Sequence, residues 1–397
     1  MSTPANPDDL CPRPPQQPAS VNPPHAQPLQ LTSVWQCASP AAADAMLEGQ
    51  EAGFVYQRDG HPNASVLAET CRQLHGAEEA IVAGTGMGAL AIALLSQLQT
   101  GEHVVVSRRV YGKSLTLFQQ EGSRLGIETT VVDTCELAAT AAAFQKNTRM
   151  LLVETIANPL LEVADIPALA KLAHDRGAIL LVDNTFASPV VCQPLMLGAD
   201  LVMESLTKMM NGHSDVILGL LVGKKQHWGR VPAVTSAWGL TSHPFDCWLA
   251  SRGLMTLAVR MERACANALT VAEKLQSRPQ IKRVFYPGLP SDAGHALAAQ
   301  QFRDGRFGSI VAFELAGGRT AADAFIAAVA ERIPFCPSLG ELSTTLSHPE
   351  TTSHRSLQPE QRAALGITGG TIRLSVGIES YEFIRDAILG GLQTLPS

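Results

Sequence analysis

No Cys-x-x-Cys pair occurs in this chain, although it has eight cysteines, at positions 11, 37, 71, 135, 192, 247, 265 and 336. Scattered in this way they exclude a zinc ribbon or a disulfide scaffold, so no metal site is expected and reduced thiols in a cytoplasmic protein are the natural reading. Positive charge is not in excess: 30 Lys and Arg against 36 Asp and Glu leave a net charge of -6. Neither nucleic acid nor an anionic membrane therefore has an electrostatic reason to bind. No apolar run is long enough to span a bilayer. Met1-Ser2-Thr3-Pro4 opens no basic-then-apolar leader, so no secretory signal is expected. Charged residues make up only 17% and aromatic residues 5%, against 46% hydrophobic. That balance excludes a disordered or fibrous chain, and 397 residues suffice for two domains with substantial cores.

Residues 1–30 are rich in proline, glutamine and asparagine and have no hydrophobic period. They read as an extended arm, flexible alone or laid against a partner subunit. From about Ser65 the pattern turns regular. Val66–His75 reads as a helix, Glu79–Val82 as a strand, Gly84–Gly88 as a glycine turn and Ala89–Gln99 as a second helix. His103–Val106, Thr129–Val132, Met150–Val153, Ile179–Val182 and Leu201–Met203 follow as strands, separated mostly by helices such as Pro167–Arg176. This alternation predicts an α/β protein with a mainly parallel sheet covered by helices on both faces. Val216–Val222 and Ala233–Ser236 can extend the sheet, with one antiparallel strand. A long helix is expected over Cys247–Leu275. Beyond it, strands at Val284–Tyr286, Ile310–Leu315 and Thr371–Val376 mix with helices at Ala321–Ala330 and Tyr381–Leu392, which suits a smaller α+β domain. The expected division is an arm over 1–55, a large domain over 56–250, and a linking helix with a small domain over 251–397.

Two apolar runs carry the chemistry. Ala178-Ile179-Leu180-Leu181-Val182 ends on Asp183, and Leu201-Val202-Met203 leads through Glu204 to Ser205-Leu206-Thr207-Lys208. A strand ending on a carboxylate, beside one leading to hydroxyls and a lysine, meets the needs of pyridoxal phosphate (PLP). The lysine can condense with the aldehyde, the carboxylate can keep the pyridine nitrogen protonated, and the hydroxyls can bind the phosphate. On an extended segment Ser205 and Thr207 would face one way. Tyr111, one of only four tyrosines, follows a strand exit and can stack on an aromatic ring. Tyr56-Gln57-Arg58 lies in a loop-like stretch where the arginine suits a phosphate. Arg373, inside the apolar strand Ile372–Val376, wants an anion, either a substrate carboxylate or a structural ion-pair partner. His213 and Asp215 read as loop organisers.

A rival reading exists. Gly84-Thr85-Gly86-Met87-Gly88-Ala89 follows a strand and opens a helix, which matches the dinucleotide fingerprint. Ser107-Arg108-Arg109 then stands where an NADP-dependent oxidoreductase would bind the 2′-phosphate. The ambiguity has a physical source, because backbone amides at a helix start bind any phosphate. The oxidoreductase reading leaves Asp183, Thr207 and Lys208 without a role.

From Phe54 to the C-terminus the chain resembles the cystathionine γ-synthase/γ-lyase family, the PLP enzymes of cysteine and methionine metabolism. The resemblance rests on Tyr56-Gln57-Arg58, Gly86-Met87, Tyr111-Gly112, Glu154–Pro159, Val182–Phe186, Ser205–Lys208 with Gly212-His213, Ser338-Leu339-Gly340 and Ile372–Gly377. It implies a fold type I enzyme with a seven-stranded sheet, assembled as a homotetramer of two active dimers. Lys208 would hold PLP and move protons, Asp183 would bind the pyridine nitrogen, and Tyr111 would stack on the ring and assist proton transfer. Gly86, Met87, Ser205 and Thr207 would hold the phosphate, joined by Tyr56 and Arg58 from the neighbouring subunit. Asn158, Ser338 and Arg373 would bind the substrate. The implied activity is a carbon–sulfur lyase acting by β- or γ-elimination on cystathionine or a related sulfur amino acid. The alternative is γ-replacement, as in a cystathionine γ-synthase or an O-acylhomoserine sulfhydrylase. Five departures are visible. Lys113 replaces a cysteine usual in methionine γ-lyases, Ser343 replaces a frequent glutamate after Ser-Leu-Gly, His61 stands where many relatives have asparagine, Gly88 replaces a common alanine, and the proline-rich arm has no counterpart in the family.

Overall fold

Strands separated by helices in the first two thirds of the chain build a seven-stranded sheet. The computed structural model describes residues 22, 24–355 and 357–395. The strands are β1 (Glu79–Ala83), β2 (His103–Ser107), β3 (Glu128–Val132), β4 (Thr148–Glu154), β5 (Ile179–Asp183), β6 (Leu201–Ser205) and β7 (Gly219–Gly223), in the order β1-β7-β6-β5-β4-β2-β3. All run parallel except β7, which is antiparallel to both β1 and β6. Side chains alternate between two cores. Val105, Leu180, Val182 and Val202 face one core with the helices Pro62–His75 and Ile166–His174, while Val104, Val106, Leu181 and Met203 face the other with helix Gly86–Gln97. The expected parallel α/β sheet with one antiparallel strand is thus what forms. A second, antiparallel sheet has the order β10-β11-β9-β8, from β8 (Ile281–Phe285), β9 (Ile310–Leu315), β10 (Thr345–Ser347) and β11 (Thr371–Ser375). Helices Gly318–Val329 and Tyr381–Gln393 flank it.

Four expectations need correcting. Ala233–Ser236 is no strand but part of helix Val231–Ala237, where Pro232 in the first turn is well tolerated. The single helix expected over Cys247–Leu275 is two, Pro244–Leu254 and Leu257–Leu275, because the backbone of Thr256 leaves the helical region (φ -112°, ψ 4°). A helix at Pro40–Leu47, capped by Ser39, lies inside the stretch expected to be an extended arm. Residues 1–21 and 23 of the arm lie outside the described residues, but the part from residue 24 is laid on the chain itself. The Trp248 indole donates to Gln27 O (2.8 Å), Asn63 bonds both Pro28 and Gln30, and Val34 bridges Tyr56.

At the sheet edge where β5 and β6 begin, Asp200 is a buried anchor. Its carboxylate accepts from Leu180 N–H (2.9 Å), Lys224 Nζ (2.8 Å) and His174 Nε2 (2.7 Å), with His227 at 3.7 Å. Burial alone would raise its pKa, but these donors outweigh burial and hold it well below the usual carboxylate range. A depressed folded pKa contributes stability above the unfolded pKa, and that contribution is lost as pH falls. Asp200→Asn should therefore cost about 1.5–3 kcal/mol near neutral pH, the scale of hydrogen bonds to a charged group whose cationic partners are partly exposed. The deficit should shrink below about pH 4, where the unfolded carboxyl takes up its proton while the folded one stays ionised. Urea unfolding at both pH values checks this.

Candidate active site

The opposite sheet edge gathers every strand exit that the sequence marked. β1 leads to Gly86, β2 to Tyr111, β4 to Asn158, β5 ends on Asp183 and β6 leads to Lys208. Parallel strands put their C-terminal ends on one side, so residues far apart in sequence meet there.

Helix Gly86–Gln97 starts at this edge. Its N-cap Thr85 accepts from Gly88 N–H (2.8 Å), which leaves the amides of Gly86 and Met87 aimed outward at the positive end of the helix dipole. Gly86 is favoured by close packing: a Cβ there would stand 3.0 Å from Ser205 Cβ and 3.1 Å from Ser205 Oγ. Two amides and a hydroxyl thus share one corner that suits a phosphate. Thr207 sits differently from expectation. The segment after Ser205 is a turn, closed by Lys208 N–H to Ser205 O (3.1 Å), and not an extended strand. The Thr207 hydroxyl is engaged with Leu218, accepting from its N–H (3.1 Å) and donating to its carbonyl (3.3 Å). It can still offer a lone pair, but it does not share a strand face with Ser205. Arg260, which sequence reasoning missed, clamps this turn by donating to Met209 O (2.8 Å) and Met210 O (3.0 Å). His213 and Asp215 serve as loop organisers through Asn211, as expected.

Asp183 is half-buried, and loss of solvation pushes its carboxyl up to about 6 although Oδ1 accepts from Thr185 N–H (3.0 Å). Its partner in register on β4 is Glu154, a second residue that sequence reasoning missed. The signal was present, since β4, like β5, is an apolar run ending on an acid. Glu154 accepts from the backbone N–H of Tyr111 (2.6 Å) and of Asn158 (3.2 Å), so it holds both strand exits. Burial and then the neighbouring Asp183 charge raise its pKa well above the carboxylate range. Thr185 Oγ1 accepts from Ser205 N–H (2.9 Å) and ties β5 to β6.

The antiparallel sheet closes the site from the other side. Lys208 Nζ donates to Ser338 Oγ at 2.8 Å. Gly340 makes this approach possible: it has φ +87°, and a Cβ there would meet Met209 N at 2.6 Å. Arg373 on β11, only 4% exposed, donates to Asn158 Oδ1 (2.9 Å) and Ser338 O (2.9 Å), while its Nε has no partner. Among the described residues it forms no ion pair, so a carboxylate would meet an unused donor. Burial lowers the pKa of the Lys208 amine; the Glu341 charge opposes that and Arg373 adds to it. Glu341 is thus the acid near this centre, while Ser343 is exposed. Tyr111 and Tyr56 are 41% and 45% exposed, and the Arg58 guanidinium rests 5.4 Å from the Tyr56 ring. The structure therefore brings together Lys208, Ser338, Arg373 and Asn158, and sets Gly86 against Ser205. It leaves Tyr56 and Arg58 on the chain's surface. Ser107-Arg108-Arg109, the feature behind the NADP reading, is occupied internally: both arginines pair with Asp133, and Arg109 also with Glu162.

An amine, a half-buried acid and an amide-lined helix start at one sheet edge, with a guanidinium from the antiparallel sheet that forms no ion pair among the described residues, make up the donor set that PLP needs, and the residues present fit it. The chain belongs to the Cys/Met metabolism PLP-dependent enzyme family, whose profile matches residues 13–393, and it is a PLP-dependent enzyme. It is 40% identical to an O-succinylhomoserine sulfhydrylase of Pseudomonas aeruginosa, over 94% of this chain and 91% of that one. It is 39% identical to an L-methionine gamma-lyase of Fusobacterium nucleatum subsp. polymorphum, covering 93% and 94%. A solved cystathionine gamma synthase of Xanthomonas oryzae pv. oryzae, in complex with cystathionine, superposes with a TM-score of 0.87 at 35% identity, covering 93% and 92%. The oxidoreductase reading finds no support. No helix among the described residues is long and apolar enough to cross a membrane.

Proposed function

We propose that this enzyme is a carbon–sulfur lyase that removes the sulfur-bearing group from cystathionine or a related sulfur amino acid. The observation that carries the reading is the chain of contacts from Lys208 Nζ through Ser338 to Arg373 and Asn158. It supports pairing a proton-transferring amine with an anion-seeking guanidinium, the two kinds of group an α-amino acid needs. Bound PLP supplies the electron sink for the pair left at Cα. Arg373 grips the substrate carboxylate with its free Nε–H, and Asn158 and Ser338 hold that guanidinium in place. Lys208 takes the α-proton. Its amine, made less basic by burial, then carries protons along the side chain so that the thiol can leave protonated. Tyr111 would stack on the ring and assist the transfer. Asp183 would pair with the ring nitrogen. Gly86, Met87, Ser205 and Thr207 would hold the phosphate, and Tyr56 and Arg58 would reach it from a second copy. Their surface exposure, and that of Met255, Val259, Ile217 and Trp238, supports a homotetramer. A cytoplasmic enzyme with reduced thiols suits the seven free cysteines among the described residues.

A second reading, γ-replacement of a homoserine ester by cysteine or sulfide, is favoured by the likeness to the O-succinylhomoserine sulfhydrylase. The same residues would serve it, the Cγ–O bond of the ester breaking to release its carboxylate while the thiol gives up its proton and bonds to the γ-carbon. Product analysis separates the two. The lyase reading expects cystathionine to yield a thiol, an oxo acid and ammonia without any added co-substrate. Consumption of O-succinyl- or O-acetylhomoserine only when a thiol is supplied, with cystathionine left intact, overturns it in favour of replacement.

A further inference from the structure

The face of the sheet turned away from helix Gly86–Gln97 carries a polar group that the reaction does not use. His75, the last residue of helix Pro62–His75, and Glu204 on β6 both have 0% side-chain exposure, with Nε2 and Oε1 3.3 Å apart. Neither nitrogen of the His75 ring has a hydrogen-bond partner, nor does Glu204 Oε2. Glu204 Oε1 accepts from Asn184 Nδ2 at 2.8 Å. Asn184 also donates to Cys192 O (3.1 Å) and accepts from Thr155 Oγ1 (2.7 Å), and its backbone N–H donates to Met203 O (2.9 Å). Burial pushes the Glu204 carboxyl well up and the His75 imidazole down to about 3. The pair therefore sits as an uncharged acid beside a neutral ring.

Such a group is a poor way to gain stability, because apolar residues of similar volume often serve as well or better. Its placement suggests another use. Asn184 directly follows Asp183, Glu204 directly precedes Ser205, and Thr155 directly follows Glu154. Successive strand residues face opposite sides, so a bond made behind the sheet sets the position of the neighbour in front.

We propose that Glu204 and Asn184, with His75 only packed against the Glu204 carboxyl, form a positioning unit that ties the ends of β4, β5 and β6 from behind and so fixes the spacing between Asp183 and the Ser205–Lys208 turn. Its effect is felt by the cofactor: the ring nitrogen and the phosphate are met together only if that spacing is held. This rests on the reading that Asp183 and Lys208 hold PLP.

The test titrates the full-length apoprotein with PLP, following visible absorbance, and melts each variant without PLP. His75→Leu combined with Glu204→Met should melt at or above the parent temperature yet bind PLP about tenfold or more weakly, the scale seen when groups that orient a site's ligands are removed. The pH midpoint of its visible band should shift as well. His75→Leu with Glu204→Gln should bind within about threefold of the parent, since the glutamine carbonyl still accepts from Asn184. A double variant that folds, binds PLP as the parent does and titrates at the same pH overturns the proposal. If that variant does not fold, Asn184→Ala decides, because it cuts the tie and leaves His75 and Glu204 in place. Affinity weakened tenfold supports the unit, and unchanged affinity overturns it. Failure of the underlying reading looks different: Lys208→Ala would then leave the parent's visible band in place.

Discussion

Replacing Lys208 with alanine should lower turnover by at least about 1,000-fold, within the range that one positioned proton-transfer group supplies, while the fold survives. The structure explains both halves. Among the described residues the only hydrogen bond of the Lys208 side chain is the 2.8 Å contact to Ser338 Oγ, so its loss should cost about 1 kcal/mol or less. The turn itself is held by other groups. Arg260 binds the carbonyls of Met209 and Met210, and Gly212 N–H donates to Lys208 O at 2.8 Å, whichever side chain stands at 208. Burial, the first cause of the lowered amine pKa, also disfavours the charged amine in the folded chain. A neutral side chain removes that penalty, so the melting temperature of the apoprotein should equal or exceed the parent's. Steady-state assays, a visible spectrum and a thermal melt together check this. Residual activity above about a tenth of the parent's would place the chemistry on another residue, because a ten-fold change is only about 1.4 kcal/mol of barrier.

The site was legible in the sequence where local pattern and chemistry coincide. Asp183 and Lys208 stood out because an apolar run ending on an acid, or leading to a lysine, has few structural explanations. Gly86 and Arg373 stood out because a turn needs the one and a buried strand tolerates the other only for a reason. What the sequence hid depends on contacts made across the fold. Glu154 looks like Asp183 in sequence, yet its task of holding Tyr111 and Asn158 by their backbones appears only once β4 lies between β2 and β5. Arg260 reads as one cation on an amphipathic helix, and the three carbonyls it binds come from two other segments. Period counting failed where two periods compete. Ala233–Ser236 is too short to tell a strand from a helix, and Ser205–Lys208 keeps a strand's alternation although the chain has already turned. The same limit allowed the dinucleotide reading: a glycine-opened helix is a phosphate site in either family, and only the pairing of Arg108 and Arg109 with Asp133 shows that those arginines are already taken.

Asp183→Asn should separate the acid's cost to the empty fold from its service to the cofactor. In the apoprotein burial holds the folded pKa near 6, above the ordinary value of about 4 for an unfolded chain. For an acid raised in this way the folded state keeps its proton longer than the unfolded state. Stability therefore falls as pH rises through the window from about 4 to about 6. Asparagine carries no such burden, so the apo variant should be the more stable protein at pH 8 and should lose that advantage below about pH 4. With PLP bound the order should reverse. A protonated ring nitrogen opposite the carboxylate makes the ionised form the favoured one, and asparagine cannot supply that charge. Turnover should then fall about 100-fold or more, the size typical of losing one preorganised electrostatic partner, and PLP should dissociate more readily. Denaturant midpoints with and without PLP at pH 4 and pH 8 read the stability arms, and assays at saturating PLP read the rate. Equal ranking of parent and variant in both ligand states would mean that the carboxylate faces no cation, and Asp183 would then be only a cap for the turn at Thr185.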